Sequence, residues 1–168
     1  MIDMERDFLD TAGYAASAGL DVSALCKPIP FIANLLVTAR KNNVLVVHKR
    51  EGHRSDLTDC SPTKLARSRQ AGAEIGSAGP LGQLLVRGEY GHDIVDELKP
   101  ITSEPIIDEP GYGAFHQTDL AQILDNHDIK RLYICGVTTE VCVHSTLREA
   151  TDRGYDCVLV SDGVARPM

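Results

Sequence analysis

The sequence predicts an α/β fold: three layers, α-β-α, around a mainly parallel sheet of Rossmann-like topology. Short runs at 44–48, 131–137 and 155–161 are apolar on both faces, and segments of helical spacing separate them. Strands of that kind need cover on both sides, which helices packed on a parallel sheet supply. The 168 residues, 43% hydrophobic and 24% charged, suffice to bury a core, read here as one domain over 1–168.

Apolar positions at helical spacing predict a helix over 31–41, broken at Asn42-Asn43 before the strand 44–48. The segment from Gly52 to Glu89 lacks periodicity and reads as a long functional loop around one helix. A helical turn at 94–98 closes at Pro100, and 105–108 reads as a strand. A helix at 120–126 and the buried strand 131–137 follow. The next helix runs from Thr139 to Arg153 and stops at Gly154, ahead of the last strand at 155–161. Almost no strand precedes Asp3, and no helix follows the last strand before Met168, so both ends read as truncated.

A formal charge of −7 disfavours nucleic acid and anionic membrane as partners. No apolar run of transmembrane length and no signal-peptide pattern are expected, so the setting is read as cytoplasmic. The five cysteines are odd in number and form no CxxC pair, which points away from zinc and thioredoxin-like chemistry and towards a reduced compartment. Cys135 and Cys157 lie in apolar runs, where a cysteine serves as a small hydrophobe.

Cys142 differs by position. A buried strand runs into Gly136, turns at Thr138-Thr139 and opens a helix, with Cys142 in its first turn. The hydroxyl of Thr138 or Thr139 can cap that helix. The positive end of a helix favours a thiolate, and free N–H groups of Thr138 and Cys142 can receive the charge that grows on an attacked carbonyl oxygen. A cysteine merely packed under its helix fits the local context equally well. His144 stands two residues on and faces elsewhere.

The segments Asp3-Met4-Glu5-Arg6-Asp7-Phe8 and Gly136 to Val143, with the loop Gly111-Tyr112-Gly113-Ala114-Phe115, the run Arg148 to Tyr155 and Ser161-Asp162-Gly163, resemble the isochorismatase-like cysteine hydrolases. The resemblance implies cleavage of a C–N bond in a small amide or ureido substrate through an acyl-thioester on Cys142. It also implies Asp3 as base, Thr138 as oxyanion donor after a cis Val137–Thr138 bond, no cofactor, and a homo-oligomeric dimer or tetramer. One position departs from it. Where the family carries a lysine, this chain has Glu109, and a carboxylate there raises a neighbouring thiol's pKa instead of lowering it. Asp3 and Glu109 are then expected to share a proton and catalysis to be impaired; the alternative is a non-catalytic member that binds a ligand or partner. A redox sensor lacks a resolving cysteine. His48 and His53, five apart without an Asp-x-His pattern, predict no metal, and read as surface or hydrogen-bonded residues. The polar loops 48–57 and 87–92 resemble the ureido-cleaving branch, with Phe8 as an apolar wall of the pocket or as core packing.

Overall fold

The computed structural model describes residues 1–167. In chain order its elements are α1 (Arg6–Leu9), α2 (Tyr14–Ser17), α3 (Val22–Cys26), α4 (Ile29–Lys41), β1 (His48–Glu51) and α5 (Pro62–Gln70). A small hairpin of β2 (Ala78–Gly79) and β3 (Gly82–Gln83) and a 3₁₀ turn (Asp96–Leu98) lead to β4 (Ile106–Glu109). Then come α6 (Leu120–Asn126), β5 (Arg131–Val137), a π-helical turn (Thr139–Val143), α7 (His144–Asp152) and β6 (Asp156–Ala165).

β1 pairs with β4 and β5 with β6, both parallel. The two halves are joined by the first residues of the chain, because Ile2 bridges Lys49 on one side and Gly136 on the other. The Ile2 N–H donates to Cys135 O at 2.9 Å, and the Val137 N–H donates to Ile2 O at 3.0 Å. On the β1 side the Asp3 N–H donates to Lys49 O, and the Lys49 N–H to Met1 O, both at 2.9 Å. Two core clusters flank the sheet, one around Met4, Leu25, Ile32, Leu36 and Leu98, the other around Ile107, Leu120, Leu124, Ile134 and Val143. This is the α/β architecture that runs apolar on both faces predict.

Most elements fall where periodicity places them, and four differ. The strand expected at 44–48 begins only at His48, where pairing with Ile106 starts. Residues 44–47 instead line a cavity of about 460 Å³ with Met1 and 131–135, and the Val47 carbonyl accepts from the Met1 ammonium at 2.9 Å. The helix expected from Thr139 divides into a π turn and α7, a local widening common at functional sites. β6 extends to Ala165. Val22–Lys41, 20 residues, is long and apolar enough to cross a membrane, contrary to expectation. It is split between α3 and α4 around Pro28, and its Leu25 and Ile32 are fully buried, as in core helices.

Gly136 makes the central join possible. Its φ is +122°, and a Cβ there would stand 2.0 Å from Ile2 O. Gly136→Ala is expected to lower stability by about 2–4 kcal/mol, through backbone strain and loss of the Ile2 contact. Urea unfolding measures this, and an unchanged midpoint would refute the steric argument.

Candidate active site

Five buried side chains converge at the carboxyl ends of these strands, the edge at which open α/β sheets bind ligands. Asp3 follows the central join and has a left-handed φ of +49°. Lys49 and Glu51 stand two apart on β1 and so share one face. Glu109 ends β4, in register with Glu51. Cys142 lies in the π turn that follows β5. Asp3 and Glu109 have no exposed surface, and Lys49, Cys142 and Glu51 are nearly as deep.

Lys49 is the hub. Its ammonium donates to Asp3 Oδ2 at 3.0 Å and stands 3.0 Å from both Asp3 Oδ1 and Glu109 Oε2, contacts of charge without hydrogen-bond alignment. Glu109 Oε1 accepts the Gly111 N–H. The Cys142 thiol donates to Glu51 Oε2 at 3.3 Å, and the other Glu51 oxygen meets the Lys64 ammonium of α5 at 2.7 Å. Lys64 also donates to the carbonyl oxygens of Pro110 and Gly111, each at 2.7 Å. Beyond it lies a cavity of about 150 Å³ lined by Asp59, Lys64, Arg67, Tyr112 and His116, among others.

Burial sets the ionisation of this cluster. It pushes Asp3 up to about 6 against the pull of Lys49, and Glu109 up to about 7. The Cys142 thiol is driven well above its ordinary range by burial first and the Asp3 carboxylate second, with Lys49 opposing. Glu51 is lowered, because Lys64 and Lys49 outweigh its burial. Lys49 is raised well above its ordinary value, since Asp3, Cys142 and Glu109 outweigh desolvation. Glu5, fully buried with no partner for either oxygen, is raised well above its ordinary value by burial first and by the Asp3 carboxylate second.

Of the residues singled out in the sequence, Asp3, Glu109 and Cys142 come together here. The expected proton shared by Asp3 and Glu109 is replaced by an ammonium between them, because Lys49 reaches both carboxylates from β1. The Val137–Thr138 peptide bond is cis. Neither threonine hydroxyl caps the turn, and Thr138 holds the N-cap position through its extended backbone alone. Phe8 packs in the core, edge to face with Tyr14 at 5.9 Å. His144 is exposed, beside Arg148. His48 and His53 are fully buried rather than at the surface, and each is hydrogen-bonded, to Glu104 at 2.8 Å and to Asp59 at 3.3 Å. Burial lowers both, His48 to about 4.

Sequence reasoning missed Lys49, Glu51 and Lys64. A signal existed for the first two, as charged residues two apart at the carboxyl end of an apolar run. Lys64, in a polar stretch, carried none. Asp3, Glu51 and Cys142 bring donor atoms within 4.8 Å of one another, a geometry able to hold a cation. The two carboxylates already meet Lys49 and Lys64, so an ion there would have to displace or repel an ammonium.

A parallel α/β sheet with a buried cysteine facing an aspartate at its carboxyl edge defines the class, an α/β cysteine hydrolase fold. The chain belongs to the isochorismatase family, whose domain matches residues 1–167. It is 30% identical over 171 residues to the ureidoacrylate amidohydrolase RutB of Pantoea ananatis, covering 96% of this chain and 66% of that protein. The chain thus spans just under two thirds of that relative's length. Among solved structures it is similar to a cysteine hydrolase from Pseudomonas syringae (TM-score 0.83, 26% identity, 99% of this chain and 70% of that one). An isochorismatase family protein from Desulfovibrio vulgaris gives a TM-score of 0.81 at 27% identity, over 99% of this chain and 80% of that one.

The raised Glu109 has a consequence for stability. Its ordinary pKa of 4.5 becomes about 7 in the folded protein, so the folded state holds the proton more tightly. That contribution is complete below about pH 4.5 and is lost as the pH rises through about 7. Relative to Glu109→Gln, the wild-type protein is therefore expected to lose stability between those limits. Urea unfolding of both proteins across pH 4.5–8 measures it, and parallel curves would show that Glu109 does not titrate in this window.

Proposed function

We propose that the chain hydrolyses a C–N bond of a small amide or ureido compound through an acyl-thioester on Cys142, with Asp3 as general base and acid. The observation that carries the reading is the buried Cys142 thiol within 4.8 Å of Asp3, at a strand-to-helix turn on the ligand-binding edge of the sheet. Family membership supports the hydrolase class, and the RutB-named relatives favour a ureido acid or similar compound as substrate.

The thiol is neutral at rest, so a base must act in the attack itself. Asp3 takes the S–H proton as sulfur bonds to the carbonyl carbon, and the N–H groups of Thr138 and Cys142 face the oxygen that gains charge. The carbonyl re-forms, the C–N bond breaks, and the leaving nitrogen takes the proton from Asp3. Water then attacks the thioester with Asp3 again as base, which releases the acid and restores the thiol. Glu109 does not leave the site without a cation, since Lys49 stands beside Asp3. This contact favours an enzyme over a protein that only binds its ligand. The five free cysteines fit a reduced, cytoplasmic setting.

Incubation with a panel of ureido and amide compounds, followed by mass spectrometry, is expected to trap an acyl adduct on Cys142. Cys142→Ser should lose both the adduct and turnover, by at least a thousandfold. Tight binding with neither adduct nor turnover in the wild-type protein would reject hydrolysis. With Asp3 at about 6, turnover is expected to fall as the pH drops below that value, because a protonated Asp3 cannot act as base. A rate profile flat from pH 5 to 8 would remove Asp3 from this role.

A further inference from the structure

We propose that Lys49 supplies the positive charge of this site, steadying Asp3 and the Cys142 sulfur in their charged forms, with Glu109 serving as the anchor of its ammonium. The proposal rests on the hydrolase reading only in treating Asp3 and Cys142 as the reacting pair. Position 109, where the resemblance implies a cation, holds a carboxylate instead, and that carboxylate faces the Lys49 ammonium at 3.0 Å. Its second oxygen is tied to the Gly111 N–H, so Glu109 is fixed by its own loop and fixes Lys49 in turn.

Adjacent strands make this arrangement possible. β1 and β4 are parallel, with Lys49 in register with Ile107 and Glu51 with Glu109. A lysine is a compact charge on a flexible four-carbon stem, so either strand can deliver an ammonium to Asp3. The other charged or titratable groups that act on the thiol are Asp3 from the N-terminal segment, Glu51 from β1 and Tyr14 from α2, while Glu5, Glu109 from β4 and Lys64 from α5 act on those groups in turn. Lys64 is already engaged by Glu51 and two carbonyl oxygens. Among the described residues, Lys49 is thus the lysine in direct contact with Asp3. The same ammonium opposes the upward push of burial on both Asp3 and Cys142.

A plainer role has to be separated from this one, in which Lys49 only neutralises Glu109 and keeps the fold intact. Alkylation of Cys142 by iodoacetamide does so. The thiolate sulfur displaces iodide and forms a C–S bond, so the pH midpoint of the rate reports thiolate formation without any substrate. The rate is read on the Cys142 peptide by mass spectrometry, in variants whose circular dichroism shows them folded. Lys49→Met is expected to raise the midpoint by at least one pH unit, a tenfold loss of thiolate at a given pH. Lys49→Arg, which keeps the charge, should stay within half a unit of wild type.

The deciding variant is the double substitution Lys49→Met with Glu109→Gln. It removes both partners of the Lys49–Glu109 pair, so that Asp3 alone loses its ammonium where the single variant strips two buried carboxylates, which keeps the test available where Lys49→Met does not fold. A midpoint raised as in the single variant supports the proposal. A wild-type midpoint overturns it, because Lys49 would then have been serving Glu109 alone. Since no substrate is involved, failure of every protein to hydrolyse anything would sink the hydrolase reading and leave this result standing.

Discussion

The structure depends on the insertion of its first three residues between β1 and β5. Without the Ile2 bridges, the β1–β4 and β5–β6 pairs share no backbone ladder among the described residues. Parallel strands cannot be joined by tight turns, so two separate pairs lack the local pairing that holds an antiparallel sheet together. One short segment closes that gap from both sides. It also delivers Asp3 to the carboxyl edge, in a left-handed conformation that turns the chain out of the strand. The same backbone bonds therefore hold the sheet and aim the carboxylate. Gly136 belongs to this join as much as Ile2 does, because the two chains approach too closely there for a side chain.

Buried charge is the second constraint, and it follows from the first. Once Asp3 is fixed under the sheet edge, it needs a counter-charge, because an unpaired buried carboxylate is costly. Lys49 supplies one from the strand to which the Asp3 backbone is itself bonded. Glu51 and Lys64 form a second pair on the thiol's other side. Burial raises Glu5 and takes Glu109 up to about 7, which lessens the negative charge that the two ammoniums have to offset. The thiol can then stay neutral until a base removes its proton. A resting thiolate would add a negative charge beside the Asp3 and Glu51 carboxylates.

The fold was legible in the sequence wherever apolar residues recur at strand or helix spacing, although only the second half of β5, from Ile134, is buried. β5 and α6 lie where periodicity places them, since the packing that makes the pattern also makes the element. Residues 44–47 were misread because apolar composition says nothing about whether a ladder partner is present. The division of the Thr139 helix was invisible because π and α turns draw on the same residues. At the site, Cys142 was equivocal from its own surroundings, and the ordered resemblance from Asp3 to Gly163 singled it out. Lys49 was overlooked because it sits in a run of charged residues that reads as a solvated strand end. Its burial comes from the N-terminal segment and β4, both remote in sequence.

The same ammonium decides what Glu109 does. A motif compares positions one at a time, so a carboxylate in a cation's place reads as damage. Chemistry responds to the field at the sulfur and at the aspartate, to which side chains from two neighbouring strands contribute together. On a parallel sheet, residues of adjacent strands that share a face lie within one side-chain length, and a long ammonium can cross that distance. The requirement at such a site is therefore a charge at a point, whichever strand carries it. In this chain the ammonium beside Asp3 comes from β1, and the carboxylate at 109 forms the far wall of its cradle.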